Sequence, residues 1–386
     1  MKKRNLIIII VAALVAIATS ITVITITTTK NKSCKIAFYG LSEQVETSIK
    51  ESITTSFPED DIEYTVLDIN TPLSDKTAKK YNLIFTYNGR NVYNISDDLT
   101  AFPKEVYNLM PSNIGNASLI DDKNLVLPIL LDHYEIAYYR TYREQCQLGI
   151  PQIEDHLSLY LEMIKDKAIF PLYLAGAVDE DLLGFVSLLA ESSMSPDAYK
   201  TLLNDIYTAV KLDNPLPIEL KDVLDKTKDM VNNQFLYRKW YENTKADLDF
   251  AMKEHKVGAI VTSLSKHREM PFVIIKYYDS FMYPKSSPDS TSLVAPLICA
   301  VMPKDKGNAK AIAESLVHTE AQTYLSDATK LAPVSSRAQS HDMQADDVRF
   351  MAASTSGPVP SIIEGSCTCT EDVAKLASKI REYLSK

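Results

Sequence analysis

Apolar and polar positions follow two periods along this chain. Residues 35–39 read as an apolar strand closed by Gly40, and residues 42–56 then carry Val45, Ile49 and Ile53 on one helical stripe. Residues 61–67 alternate as a strand does, and Leu83 to Phe85 form a core strand running into Tyr87, Asn88 and Gly89. Residues 125–131 are an apolar run of strand length containing Pro128, broken by Asp132, His133 and Tyr134 before a second apolar strand over 136–139. Two buried strands with a polar break and no glycine-rich turn describe a chain that leaves one core and enters another. A buried aspartate at that break needs a partner. A bound ligand is one reading, and a local backbone group capped by Asp132 is the other.

Beyond Arg140 the pattern turns mostly helical. The spacing predicts helices over 143–148, ending at Gly149 before Pro151, and over 155–164, 179–190, 220–234 and 238–255, with a further helix opened by Ser195 and Pro196. Strands are expected over 168–174, 257–261 and 272–276, a polar loop over 279–292, and a bent strand or strand pair over 293–302. Helices over 308–325 and 348–353 follow. The last amphipathic helix opens at Thr370, with Val373, Leu376, Ile380 and Leu384 as its stripe. The fold class is α/β.

Length and charge narrow the picture. A chain of 386 residues is too long for one comfortable core, so two lobes are expected. A net charge of −9, with no basic patch beyond the first four residues, argues against nucleic acid as a partner. Lys2, Lys3 and Arg4 precede an uncharged run over 6–29, long enough either for a signal peptide cleaved near Ala16–Ala18 or for a retained membrane anchor. In both cases the body lies outside the cytoplasmic membrane. Lipid attachment at Cys34 is a further alternative, although Lys30, Asn31, Lys32 and Ser33 make a poor lipid-attachment sequence.

The chemistry-bearing patterns are few. The five cysteines are scattered, and Cys367 and Cys369 are too close for an easy unstrained disulfide. The six histidines show no i, i+4 ligand spacing, and neither a nucleophile elbow, a phosphate loop nor a dinucleotide fingerprint is present. No catalytic residue, metal or cofactor is expected, and the chain is not read as an enzyme.

Five collinear stretches resemble the extracellular solute-binding proteins of ABC importers, in the maltose-binding-protein-like cluster of sugar binders. They are residues 81–89 (YNLIFTYNG), 127–139 (LPILLDHYEIAYY), Gly149-Ile-Pro151, 256–260 (KVGAI), and 295–304 (APLICAVMPK) with the helix after it and Pro333. Arg140 stands where the family usually has Asn, and a Thr-Trp pair after the proline is missing. The resemblance implies a periplasmic-binding-protein-like fold, two α/β lobes joined by hinge crossings with the ligand cleft between them. Residues 35–132 and 268–327 would form the first lobe, 133–267 and 328–386 the second, and 1–34 the leader or anchor. Carried over residue by residue, it places Tyr87 and Asn88 on the cleft wall of the first lobe, Asp132 at the crossing, Tyr173 on the second lobe and Ser263 after the return crossing. Plainer readings compete: an Asn-Gly turn for Asn88, a core role for Tyr173, a helix cap for Ser263. The implied partners are a small solute, chiefly a carbohydrate, an ABC permease, and the membrane through residues 6–29; the chain is expected to be a monomer. With only Trp240 but 21 tyrosines, tyrosine would supply the stacking face. The alternative is a tethered sensor or scaffold that kept the fold without transport.

Overall fold

A computed structural model describes residues 33–147 and 154–386; the anchor reading over 6–29 and the Gly149-Ile-Pro151 stretch lie outside them. Strand β1 (Cys34–Tyr39) is followed by helix α1 (Glu43–Ser56), whose N-cap Ser42 accepts from Val45 N and whose buried stripe is Val45, Ile49 and Ile53. β2 (Ile62–Leu67) and β3 (Leu83–Tyr87) both lie parallel to β1. A single helical turn, α2 (Arg90–Tyr93), leaves β3 through Gly89. β4 (Val126–Leu131) joins the same sheet, and after two residues β5 (Tyr134–Tyr139) opens another.

The second sheet carries most of the helix. α3 (Arg140–Cys146) and α4 (Glu154–Ile164) lead to β6 (Phe170–Tyr173). Then come α5 (Asp179–Ser192), α6 (Pro196–Lys211), α7 (Ile218–Asn232) and α8 (Lys245–Lys253). β7 (Val257–Ser263) runs straight into α9 (Leu264–Glu269), then α10 (Phe272–Ile275) and β8 (Tyr278–Phe281). The chain re-enters the first sheet through β9 (Leu293–Val294) and β10 (Leu297–Val301), packs α11 (Ala309–Ser315) and α12 (Thr319–Thr329), and adds the short edge β11 (Ala332–Pro333). α13 (Met343–Ser354), β12 (Pro358–Val359), α14 (Ile362–Ser366) and α15 (Thr370–Leu384) complete it.

The result is a mixed six-stranded sheet, β11-β4-β10-β3-β1-β2, and a four-stranded sheet, β6-β7-β5-β8, with a small β12-β9 pair between cores. β4 is buried on both sides: Leu127 and Ile129 join one apolar cluster and Val126 the other, which is why its sequence is continuously apolar. Pro128 has no N–H to give its neighbour, and the pairing of β4 with β10 shifts register at Ile298/Cys299, opposite it. Trp240 is fully buried, edge-on to Phe185 at 5.4 Å in the core of the second sheet.

Three details differ from the sequence reading. Residues 272–275 form a helical turn rather than a strand; Pro271 starts it, and Phe272 and Val273 stay exposed instead of pairing. Tyr278–Phe281, whose residues 279–281 fall in the expected loop, pairs with β5 in the four-stranded sheet, past the boundary expected at 268. β11 and α13 pack with the six-stranded sheet although both follow the boundary expected at 328.

Candidate functional site

Between the two sheets lies a cavity of about 350 Å³, lined from both. The six-stranded sheet contributes strand ends: Tyr39 from β1, Thr86 and Tyr87 from β3, and Asp132 just past β4. The four-stranded side contributes Tyr134, Ser263, Ser265, Lys266 and Glu180, with Glu364 from α14. Ligand sites collect at strand ends in α/β folds because side chains of neighbouring loops converge there without competing for sheet hydrogen bonds.

Asp132 sits where the two sheets are joined. Its carboxylate accepts from Ser265 N at 3.1 Å and from Ser265 Oγ at 2.6 Å, in the first turn of α9. So the first crossing and the exit of β7 are stapled together: Asp132 caps backbone, as one of its two expected readings has it, and it also lines the cavity. Burial pushes its carboxyl up to about 6, and the Ser265 hydrogen bonds work against that rise. Glu364 is raised as well, by burial first, with the Asp132 charge adding to it while Ser361 pulls it down. The Tyr87 and Tyr134 phenols are pushed up by burial and by these two carboxylates, so the four groups share one electrostatic field.

The pattern has physical support on each side. Tyr134 needs room against α5, and Gly184 provides it: a Cβ there would stand 2.2 Å from the tyrosine ring. Lys266, the cavity's ammonium, is paired with Asp181. The lining therefore offers carboxylate acceptors, phenols and hydroxyls that both donate and accept, and aromatic faces. Such a set suits a neutral solute rich in hydroxyl groups.

Of the five expected contacts, the structure brings three together: Tyr87, Asp132 and Ser263 line the cavity. Ser263 is at the same time the N-cap of α9, accepting from Lys266 N at 3.3 Å. Tyr173 is absent from the lining. It is fully buried against Phe170, and its hydroxyl donates to the Thr244 carbonyl, so its size is spent on the core. Asn88 does not line the cavity either; its backbone N–H donates to Leu297 O at 2.7 Å and its side chain is buried. Tyr134 went unread although it lies two residues beyond Asp132 along an extended chain, a spacing that puts side chains on one face. Glu364 had only a helix-start signal, Ser361 with Glu three residues later, which the structure shows as a capping box.

The opposite face of the crossing is closed. His133 is buried, and burial lowers it to about 4, leaving it neutral. Glu135 is buried beside His267, with 2.6 Å between Oε1 and Nδ1, and also accepts from Ser280 at 2.8 Å and from Gln344 of α13.

No family model and no curated protein matches this sequence. Solved structures do. The chain is similar to a bacterial solute receptor, AcbH, described as exclusive for β-D-galactopyranose, with a TM-score of 0.72 at 12% identity over 92% of this chain and 99% of that one. It is similar to the cyclic α-maltosyl-1,6-maltose binding protein of Arthrobacter globiformis (TM-score 0.60, 13% identity, 92% and 93% coverage). It is similar also to RafE solved with raffinose (TM-score 0.60, 14% identity, 91% and 98% coverage). The fold is thus that of the periplasmic-binding-protein-like solute receptors.

Proposed function

We propose that this chain is the solute-binding component of an ABC importer, held at the outer face of the cytoplasmic membrane by residues 6–29, and that it binds a small carbohydrate by hinge closure. In this reading the six-stranded and four-stranded sheets, each with its helices, are two lobes, and the 131–134 crossing is one hinge strand. The observation that carries it is the cavity itself. Tyr87, Tyr134, Asp132 and Glu364 converge from both sheets at the crossing, in a fold whose solved examples include a receptor described as exclusive for β-D-galactopyranose and one solved with raffinose. At about 350 Å³ the cavity is at the small end of ligand sites, which run roughly 300–1,000 Å³. Nothing in this mechanism requires turnover: closure buries the solute, the carboxylates and phenols take its hydroxyls, and the closed form is presented to the permease.

Thermal unfolding of the full chain in mild detergent, run against galactose, raffinose and maltooligosaccharides, tests the reading. A binding sugar at 100 times its Kd stabilises the folded state by about 2.7 kcal/mol. A flat response across neutral mono- and oligosaccharides overturns the carbohydrate assignment.

A further inference from the structure

One side of the cavity is closed by protein touching protein. Beyond Tyr87, residues 89–91 of the first sheet meet α6 and α14 of the second. Arg90 Nε donates to Gly365 O at 3.4 Å, its Nη2 donates to Asn204 Oδ1, and its guanidinium lies 4.2 Å from the Tyr207 ring centroid. Asn91 Nδ2 donates to Thr368 O at 3.1 Å, and Tyr39 Oη donates to the same carbonyl at 2.8 Å. Asn204 and Tyr207 belong to α6, whose Leu202, Leu203 and Ile206 are part of the second sheet's core, as are Ile362 and Cys367 on either side of the Gly365 contact. Gly89 makes the approach possible: a Cβ there would stand 2.2 Å from the Glu364 carbonyl oxygen.

We propose that Arg90 and its neighbours form a closure latch that holds this receptor's two lobes together and tunes how tightly it retains its solute. None of the latch contacts uses a solute atom, so the latch favours the closed form equally with and without ligand. A receptor whose binding-competent form is already populated binds more tightly in proportion to that population. Arg90 itself is not part of the cavity lining, whereas Tyr39, Asn91 and Thr368 are, so the Arg90 contacts set affinity and leave the choice of solute to the lining, Tyr87, Tyr134, Asp132 and Glu364 among it. The inference rests on the two-lobe reading above.

Two variants test it in the full chain in mild detergent. Arg90→Ala removes the cation; Gly89→Ala wedges the approach while leaving the local backbone free, because its φ of 165° is extended and open to alanine. Hydrogen exchange without solute is expected to speed up several-fold over residues 362–370 in both variants, with wild-type exchange kept in the core strands β4 and β7. Affinity for any sugar the wild type binds should fall about tenfold, with the rank order among sugars unchanged in Arg90→Ala. Wild-type exchange over 362–370 in both variants overturns the latch, as does a changed rank order in Arg90→Ala. If the wild type binds no carbohydrate yet both variants show the faster exchange, the latch stands and the carbohydrate assignment falls.

Discussion

Asp132 and Glu135 are three residues apart and have opposite surroundings. Asp132 faces the cavity, held by the serine at the start of α9, and burial leaves its carboxyl raised to about 6. Glu135 faces away from the cavity into a buried network. Burial pushes its carboxyl up too, but the hydrogen bond and charge of His267, with the Ser280 hydrogen bond helping, hold it below its ordinary value. One crossing thus carries a fixed carboxylate that ties elements together and a second one with acceptor capacity left for a guest. The contrast teaches that a buried acid with neutral partners is the better ligand candidate than one already matched by a base.

The largest way to break this comparison is at the fixed end. Glu135→Ala strands His267, Ser280 and Gln344 without their acceptor, and should lower unfolding stability by about 3–5 kcal/mol in chemical denaturation. A loss below 1 kcal/mol would mean the network is not structural. Next is Asp132→Ala. Solute affinity should fall by about 1–3 kcal/mol by calorimetry, because a partner of the ligand hydroxyls is gone. The same change frees Ser265 in the first turn of α9, so about 1 kcal/mol of unliganded stability should go with it.

The two acids should also differ in sign with pH. The folded state holds the Asp132 proton more tightly than the unfolded chain, so that stabilisation is present below 3.8 and lost as pH rises through about 6. Comparing wild type with Asp132→Asn across this window should show the wild type losing its relative advantage as pH rises. Glu135 contributes the other way: its stabilisation is present above 4.5 and lost as pH falls through its lowered value. The smallest effect is expected at Tyr173→Phe, which removes one partly buried hydrogen bond to Thr244, costs about 1 kcal/mol of stability and leaves solute affinity as it was. A drop in affinity there would return Tyr173 to the cleft.

What the sequence made legible follows from how locally each feature is determined. The core strands and long helices announce themselves by period: α1 has the expected stripe, and α6 begins at Ser195 and Pro196 as its residues demand. The crossing at Asp132 was readable because two apolar runs flank a polar break. Residues 272–275 were misread because Phe, Val and Ile favour strands in general, whereas here Pro271 and the absence of a pairing edge decide otherwise. β8 was missed because its four residues, Tyr-Asp-Ser-Phe, make a strand only against β5, far back in the chain. The site divides in the same way. Tyr87, Asp132 and Ser263 come from strand ends that pattern locates, while Glu364 reaches the cavity through tertiary packing of α14 that no local spacing encodes. Tyr173 illustrates the converse, since a tyrosine near a strand end looks the same in sequence whether its ring faces cleft or core.

Hydrogen exchange of the full chain with and without a bound sugar tests the central claim most directly. The account predicts simultaneous slowing over residues 86–88, 131–135, 263–266 and 362–370, the four segments that meet at the cavity. Slowing confined to one sheet, or placed elsewhere on a chain that demonstrably binds the sugar, would contradict it.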